Sequence, residues 1–417
     1  MIQTIDTDRK WFEDDLLERF VRYARIHTTS DSHVDRTPST DRQWDLAKLL
    51  VRELEEMGIE DVELTEHCNV LARIPANTEA QPVLFLAHLD TAPDFSGEGV
   101  NPQIHRNYDG GIIDLDGDHV LDPAENPLMN DYRGETLITT DGSTLLGADD
   151  KAGVAEIMTA ARYLMEHPDM PRGEVEIVFT PDEEIGRGTV QFPRDLVRSK
   201  FGYTLDGDSE GSYNAQCFNA WSIGIEFTGV MIHPGYARGE LANAITMAAT
   251  YLSMLPRNES PEATDDEYGF YAPKEIHGNM EKASLGIFIR DFDRAEIDRR
   301  LAYLEQLAKT VEMQFPGSRV EFNSTQMYLN LKPFLDQKPE ILETLEQAIR
   351  DTGMEPVQKN IRGGTDGARL TEMGLPTPNI FAGGMNFHSR YEWVALRAMV
   401  RASKVVLNIV SRLASGN

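Results

Sequence analysis

The most informative stretch of the chain is VEIVFTPDEEIG, at residues 175–186. Its apolar first half is typical of a buried β-strand, and Glu183 and Glu184 follow directly where that strand is predicted to end. Two buried carboxylates are unfavourable unless protons, hydrogen bonds or metal ions compensate for their charge. In a chain this acidic, a solvated acidic turn would be the better explanation if the pair stood alone.

Polar side chains follow other strand-like runs in the same way. Such residues are His88 and Asp90 after residues 83–87, Asp206 after 203–205, and His388 after 379–382. Asp149 and Asp150 open a helical stretch. In open α/β sheets, ligands bind beyond the carboxyl ends of parallel strands, so these distant residues are predicted to converge. His, Asp and Glu are ligands of zinc, and a set without thiolates favours a catalytic over a structural site.

Composition excludes several classes of protein. A length of 417 residues favours two domains, and a net charge of −29 argues against binding to nucleic acid and to anionic membranes. Cys68 and Cys217 form no spacing motif, which is consistent with a reducing compartment. The sequence shows no secretory signal and no run of about 18 apolar residues, so a cytoplasmic protein is predicted.

The order of helical and strand-like patterns predicts two domains. Over the first 210 residues the patterns alternate, which indicates an α/β domain with a mixed, mostly parallel sheet flanked by helices. Residues 93–137, rich in Asp, Gly, Asn and Pro, are predicted to be a long irregular insertion near a pocket. Residues 218–325 follow the order β-α-β-β-α-β of a ferredoxin-like module. This module would interrupt a discontinuous catalytic domain of residues 1–217 and 326–417.

Four motifs together resemble a known family. They are HLD at residues 88–90, GADDKAG at 147–153, TPDEEIG at 180–186 and IRGGTDG at 361–367. In this order they resemble the peptidase T group, the tripeptide aminopeptidases of the M20 family of co-catalytic zinc peptidases. The resemblance runs from about residue 38 to residue 388. It implies an enzyme that releases the N-terminal residue from tripeptides, with residues 218–325 as a lid or dimerisation-type domain.

The resemblance also implies a pair of metal ions. Asp149 would bridge two Zn²⁺ ions per subunit, with Co²⁺ or Mn²⁺ as possible substitutes. His88 and Asp206 would complete one ion, and Glu184 and His388 the other. Co-catalytic sites hold ions about 3.5–4 Å apart and need such a shared ligand. The residues alone leave Asp150 open as the bridging ligand.

Two further carboxylates have roles implied by the resemblance. Glu183 would take a proton from the water that bridges the two ions, which then attacks the peptide, and would deliver that proton to the leaving amine. Asp90 resembles the aspartate that orients a ligand imidazole, here His88. A carboxylate in that position fixes the tautomer of the histidine and raises its basicity.

Three residues are predicted to contact a short peptide substrate. His233, in the segment IHPG, resembles the lid histidine that polarises the scissile carbonyl. Arg290 and Arg362 are candidates for the peptide carboxylate, because a guanidinium matches a carboxylate in a bidentate fork. Either arginine could instead pair with Asp291 or Asp366. The sequence leaves open whether the chain is a monomer or a homodimer.

Two alternative functions compete with the aminopeptidase. Another M20 hydrolase, such as a dipeptidase, a carboxypeptidase or an N-acyl-amino-acid deacylase, would share the metal site and differ in its substrate pocket. A non-catalytic peptide-binding protein that had kept the fold would lack a ligand or the base. No predicted ligand is missing from the sequence, and Glu183 is present.

Overall fold

The computed structural model describes residues 9–416. The chain divides into two compact units. The first unit comprises the chain up to Ala215, Pro333–Lys359, and the chain from Thr365 onward; the second comprises Gln216–Lys332 and Asn360–Gly364. The predicted α/β class is confirmed. The use of the second unit as a lid or dimerisation-type domain stays a prediction.

The described residues form helices and strands in an order typical of α/β proteins. The helices are α1 (Arg9–Ala24), α2 (Gln43–Glu56), α3 (Ala148–Glu166), α4 (Ala244–Ser253), α5 (Arg294–Gln314), α6 (Lys332–Leu335), α7 (Pro339–Arg350), α8 (Asp366–Glu372) and α9 (Leu396–Ser415). The strands are β1 (Asp61–Leu64), β2 (Val70–Ile74), β3 (Val83–His88), β4 (Gln103–His105), β5 (Ile113–Asp114), β6 (Val120–Leu121), β7 (Leu137–Thr139), β8 (Val175–Thr180), β9 (Gly202–Gly207), β10 (Ser212–Cys217), β11 (Asn219–Thr228), β12 (Phe270–Gly278), β13 (Lys282–Asp291), β14 (Arg319–Tyr328), β15 (Val357–Ile361), β16 (Asn379–Phe381), β17 (Gly384–Met385) and β18 (Trp393–Ala395).

The first unit is built on an eight-stranded sheet with the order β1-β2-β8-β3-β9-β16-β10-β15. Its central strands β8, β3, β9 and β16 are parallel, whereas β1, β2 and β10 pair in antiparallel fashion. Every residue of β3 and β8 is buried, because α3 and its neighbouring helices cover the centre of a parallel sheet. The carboxyl ends of the four central strands therefore meet at one edge of the sheet.

The segment 93–137 is more ordered than the sequence predicts. Strand β4 pairs with β7, and β5 pairs with β6 in a short hairpin. Buried side chains from this segment, including Tyr108, Leu121 and Met129, pack with Trp393 in a small apolar cluster. The prediction of an irregular insertion failed because strands of two or three residues are too short to produce an alternating pattern.

The second unit has the predicted element order β-α-β-β-α-β, from β11 to β14. Its antiparallel sheet has the order β12-β13-β11-β14, which is that of a ferredoxin-like module. Ile223, Ile225 and Phe227 on β11 are buried, whereas Glu226 and Thr228 are exposed. This alternation places one face of the sheet against α4 and α5, where the core of the unit lies.

Both cysteines are buried. Burial raises the pKa of the Cys68 thiol, which lowers its reactivity. Among the helices of residues 9–416, none combines the length and the apolar character needed to cross a membrane. The cytoplasmic location stays a prediction.

Helix α3 contains a buried carboxylate with no local compensation. Glu156 is fully buried, and in the described part of the chain neither of its carboxylate oxygens has a hydrogen-bond partner. Burial raises the pKa of Glu156 well above its usual value. The folded state therefore binds the proton more tightly than the unfolded chain does. Stability linked to this group is greatest below the unfolded pKa of about 4.5 and is lost as pH rises toward the folded value.

We expect Glu156→Leu to raise the free energy of unfolding by about 1–3 kcal/mol at pH 8, because an unpaired buried polar group is replaced by an apolar side chain of similar size. Near pH 5 the gain should be smaller, since less free energy is needed to protonate the glutamate there. Thermal unfolding of both proteins at the two pH values measures the difference. A variant that melts below the wild type at pH 8 would contradict the assignment.

Candidate metal centre

The first unit brings the predicted metal ligands to one edge of its central sheet. His88 is the last residue of β3, Asp206 lies near the end of β9, and Glu184 is in the turn after β8. Asp149 stands at the beginning of α3, and His388 lies in the loop that follows β17. The carboxyl ends of parallel strands lie at the same edge of a sheet, which explains why residues so far apart in sequence meet here.

Asp149 lies between the two histidines. Its Oδ1 is 2.9 Å from Nε2 of His88, and its Oδ2 is 3.3 Å from Nε2 of His388. Nε2 of His388 also lies 3.0 Å from Oε2 of Glu184, and Nε2 of His88 lies 3.7 Å from Oδ1 of Asp206. One carboxylate thus faces two imidazoles, each of which faces a further carboxylate.

Asp150 competes with Asp149 for a place in this cluster. Potential ligand atoms lie within 4.8 Å of one another in two groups, His88 with Asp150 and Asp206, and His88 with Asp149 and Glu184. Asp150 is fully buried, and its Oδ2 accepts a hydrogen bond of 3.1 Å from the backbone N–H of His88. Only Asp149, however, presents one oxygen to each imidazole.

Asp90 connects the His88 imidazole to the turn that carries the glutamates. Its buried carboxylate accepts hydrogen bonds from the backbone N–H groups of Glu183, at 2.9 Å, and Glu184, at 3.2 Å. Nδ1 of His88 lies 3.0 Å from the carbonyl oxygen of Asp90 and 3.4 Å from its Oδ1. The residue therefore orients the imidazole and fixes the turn at the same time.

The charges of the cluster raise the pKa values of Glu184, Asp206 and His388. Burial and the charge of Asp149 raise the pKa of Glu184 to about 8 and that of Asp206 to about 6. Hydrogen bonds to Asp149 and Glu184 raise the pKa of His388 to about 11. Both effects reflect excess negative charge at a buried site, where a cation is favoured.

The donor set fits metal ions. In the described residues, the ion-pair partners of Asp149, Glu184 and Asp206 are the two imidazoles, with no lysine or arginine among them. Oε1 of Glu184 and Oδ1 of Asp150 are buried and have no hydrogen-bond partner among residues 9–416. Oxygen and imidazole ligands with unused buried lone pairs are what a zinc site requires.

Several supporting residues escaped prediction from the sequence. Asp182 accepts hydrogen bonds from the backbone and side chain of Ser39 and from Gln43, and so holds the turn before Glu183. Asp366 accepts a hydrogen bond of 2.7 Å from Thr180 at the end of β8. Asp182 and Asp366 belong to the motifs TPDEEIG and IRGGTDG, and this was the only signal in the sequence that could have identified them. Their hydrogen-bond partners are distant in sequence, so the contacts themselves could not be predicted.

The predicted substrate residues all belong to the second unit. His233 caps a short turn, where its Nδ1 accepts a hydrogen bond of 3.1 Å from the N–H of Gly235. The guanidinium of Arg290 lies over the rings of Phe288 and Tyr328. The guanidinium of Arg362 donates to the carbonyl oxygens of residues 264, 266 and 268.

Neither arginine pairs with the acid that the sequence offered as an alternative. Asp291 pairs with Arg300, and Asp366 is held by Thr180. In residues 9–416, Arg290 has no carboxylate partner and Arg362 has its donors engaged by backbone. The two arginines thus differ in how much of their hydrogen-bonding capacity is left for a ligand.

A buried α/β sheet with a histidine and carboxylate cluster at its edge is typical of a metal-dependent hydrolase. The model of peptidase family M20/M25/M40 matches residues 133–412, and the chain belongs to that family. It is a metallopeptidase.

Known proteins support the same relationship. The chain is 45% identical over 402 residues to peptidase T of Geobacillus thermodenitrificans, and this alignment covers 95% of this chain and 98% of that protein. The structure of the aminopeptidase PepT from Bacillus cereus matches with a TM-score of 0.77 at 22% identity, covering 96% of this chain and 99% of that one. The YXEP protein of Bacillus subtilis, a dinuclear metal binding peptidase from the M20 family, matches with a TM-score of 0.67 at 14% identity over 97% and 99% of the two chains. The resemblance to the peptidase T group is confirmed.

Proposed function

We propose that the chain is a dizinc aminopeptidase that releases the N-terminal residue from tripeptides. The observation that carries the proposal is the position of Asp149, with one carboxylate oxygen toward each of two histidines. The names of its relatives, peptidase T and aminopeptidase PepT, support the substrate class.

In this proposal the ligands divide between two ions. His88 and Asp206 would hold one ion, Glu184 and His388 would hold the other, and Asp149 would be shared between them. Bound zinc supplies Lewis-acid polarisation of the scissile carbonyl and lowers the pKa of water, and Co²⁺ or Mn²⁺ can replace it. The outward exposure of His388, at 41% of its side chain, leaves this side of the centre accessible to a peptide.

Glu183 acts as the general base. Its backbone N–H is fixed by Asp90, whereas no described residue donates a hydrogen bond to its carboxylate. Glu184 differs, because its carboxylate already faces His388 at 3.0 Å. Glu183 therefore takes a proton from the attacking water and passes it to the leaving amine, and Glu184 serves as a ligand.

Arg290 is the stronger candidate for the carboxylate of the substrate. Its charge rests on aromatic faces and has no anionic partner in the described chain, so a peptide carboxylate would supply one. Arg362 instead organises the loop at residues 264–268. His233, exposed on its turn, would donate to the scissile carbonyl.

A panel of four substrates tests the proposal. Metal-replete protein should cleave a free tripeptide after its first residue, because the free amine and the carboxylate must both be recognised. The N-acetylated tripeptide, a dipeptide and a tetrapeptide should react at least about tenfold more slowly, since a factor of ten corresponds to about 1.4 kcal/mol of transition-state binding. Equal rates on the free and acetylated tripeptides would instead favour a deacylase or carboxypeptidase.

A further inference from the structure

Glu392 is a buried carboxylate close to the candidate metal centre. It precedes β18 and follows His388 by four residues, and it is 1% exposed. Its Oε2 accepts hydrogen bonds from the backbone N–H groups of Leu146, at 2.7 Å, and Gly147, at 2.8 Å. Its Oε1 accepts a third hydrogen bond of 3.1 Å from the backbone N–H of Asp149.

These three N–H groups belong to the segment that leads into α3. The first turn of a helix leaves N–H groups unpaired, and the preceding residue usually supplies a side-chain acceptor. Here that residue is Gly147, at a φ of 79°, which has no side chain to offer. Glu392 provides the acceptor from a position 245 residues later in the chain.

The backbone around Asp149 cannot be held by the helix itself. Asp149 and Asp150 have non-helical φ and ψ angles, although they lie at the beginning of α3. The direction of the Asp149 carboxylate therefore depends on the hydrogen bonds made by the segment 146–149. The Glu392 carboxylate accepts hydrogen bonds from three N–H groups of this segment, so it holds the backbone on both sides of Ala148.

We propose that Glu392 is a positioning residue that sets the orientation of Asp149 toward both metal ions. The inference rests on the proposed function, in which Asp149 is the shared ligand. Because Glu392 and His388 belong to one short segment, the same piece of chain supplies a ligand to one ion and fixes the ligand that serves both.

Glu176 provides a matched control. It is also a fully buried carboxylate, and it accepts hydrogen bonds from the backbone N–H groups of Arg198, at 3.0 Å, and Ser199, at 2.7 Å. Arg198 and Ser199 belong to no segment that carries a predicted ligand, and Glu176 lies at the beginning of β8, at the opposite end of the strand from the turn that holds Glu184. Glu176 also pairs with Arg73, at 3.2 Å. Glu176→Gln therefore removes a buried carboxylate that accepts backbone hydrogen bonds, and it leaves the residues of the metal centre unchanged.

The test compares zinc affinity in Glu392→Gln, Glu176→Gln and the wild type, by titration against a competing chelator. A glutamine offers one acceptor oxygen and directs an NH₂ group at the remaining N–H, so the clamp is broken. We expect Glu392→Gln to bind both ions about 10- to 100-fold more weakly, the range found when a residue supporting a metal ligand is lost. Glu176→Gln should bind zinc as the wild type does.

Amide hydrogen exchange of the metal-free proteins tests the same proposal by a measurement that depends neither on bound zinc nor on catalytic activity. In Glu392→Gln the amides of residues 146, 147 and 149 should exchange at least about tenfold faster than in the wild type, because a glutamine offers one acceptor oxygen where the carboxylate offers two. In Glu176→Gln their exchange should be unchanged. Unchanged exchange and unchanged zinc affinity in Glu392→Gln would overturn the proposal.

Glu392→Asp keeps the test decisive if Glu392→Gln does not fold. Its carboxylate is shorter by one methylene group and cannot reach all three N–H groups, so zinc affinity should fall between those of the wild type and the glutamine variant. Wild-type affinity in Glu392→Asp would overturn the proposal. A wild-type protein that binds fewer than two ions would instead contradict the proposed function, which keeps the two failures distinguishable.

Discussion

Glu183→Gln is expected to lower kcat by roughly 10²- to 10⁴-fold while the protein keeps two zinc ions per chain. Glutamine preserves the shape of the side chain but cannot accept a proton at neutral pH. The backbone N–H of residue 183 would still donate to Asp90, so the turn should keep its place. Elemental analysis of the purified variant and steady-state kinetics on a free tripeptide measure the two parts of this prediction.

Glu184→Gln is the matched control, since it changes the adjacent residue in the same way. The Glu184 carboxylate faces His388 and is proposed to be a metal ligand. This variant should therefore bind less zinc, although it still contains the general base Glu183. The two variants thus separate proton transfer from metal binding within one turn. A Glu183→Gln protein that cleaves the tripeptide at the wild-type rate would exclude Glu183 as the general base.

Asp149→Ala is expected to leave less than one zinc ion per chain at zinc concentrations that saturate both sites of the wild type. The reason is that Asp149 is the ligand proposed to be shared, with one oxygen directed toward each histidine. His388→Ala should remove one ion and leave the other, because that histidine serves a single site. Metal analysis after dialysis at a fixed zinc concentration measures the difference.

Full occupancy of both sites in Asp149→Ala would contradict the bridging role and transfer it to Asp150. That neighbour lies in a group with His88 and Asp206 whose potential ligand atoms are within 4.8 Å of one another. Asp150→Asn completes the comparison. If Asp149 is shared, Asp150→Asn should retain both ions.

The convergence of the candidate ligands was predictable because each one follows an apolar run. His88 and Asp206 follow segments whose hydrophobicity indicates buried strands, and parallel strands end at a common edge. The ferredoxin-like order of the second unit was predictable for a similar reason, since its longer strands produce clear patterns. Strand positions and the order of elements can therefore be predicted from local hydrophobic patterns alone, because they do not depend on contacts between distant residues.

Other parts of the fold depend on contacts that no local pattern records. Glu392 lies immediately before β18, and its carboxylate accepts hydrogen bonds from backbone N–H groups of residues 146, 147 and 149, which are more than 240 positions earlier in the chain. Strands β4 and β7 are three residues long, and their paired residues are 32 to 36 positions apart in the chain. The choice between Asp149 and Asp150 depends on which carboxylate faces both imidazoles. The residues alone contain no signal for that geometry, and only the family resemblance favoured Asp149.

Zinc anomalous diffraction from crystals of the metal-replete protein tests the central claim most directly. The account predicts two peaks in the first unit, about 3.5–4 Å apart, both within coordination distance of the Asp149 carboxylate. One peak should also contact His88 and Asp206, and the other Glu184 and His388. A single peak, or two peaks of which only one contacts Asp149, would contradict the account.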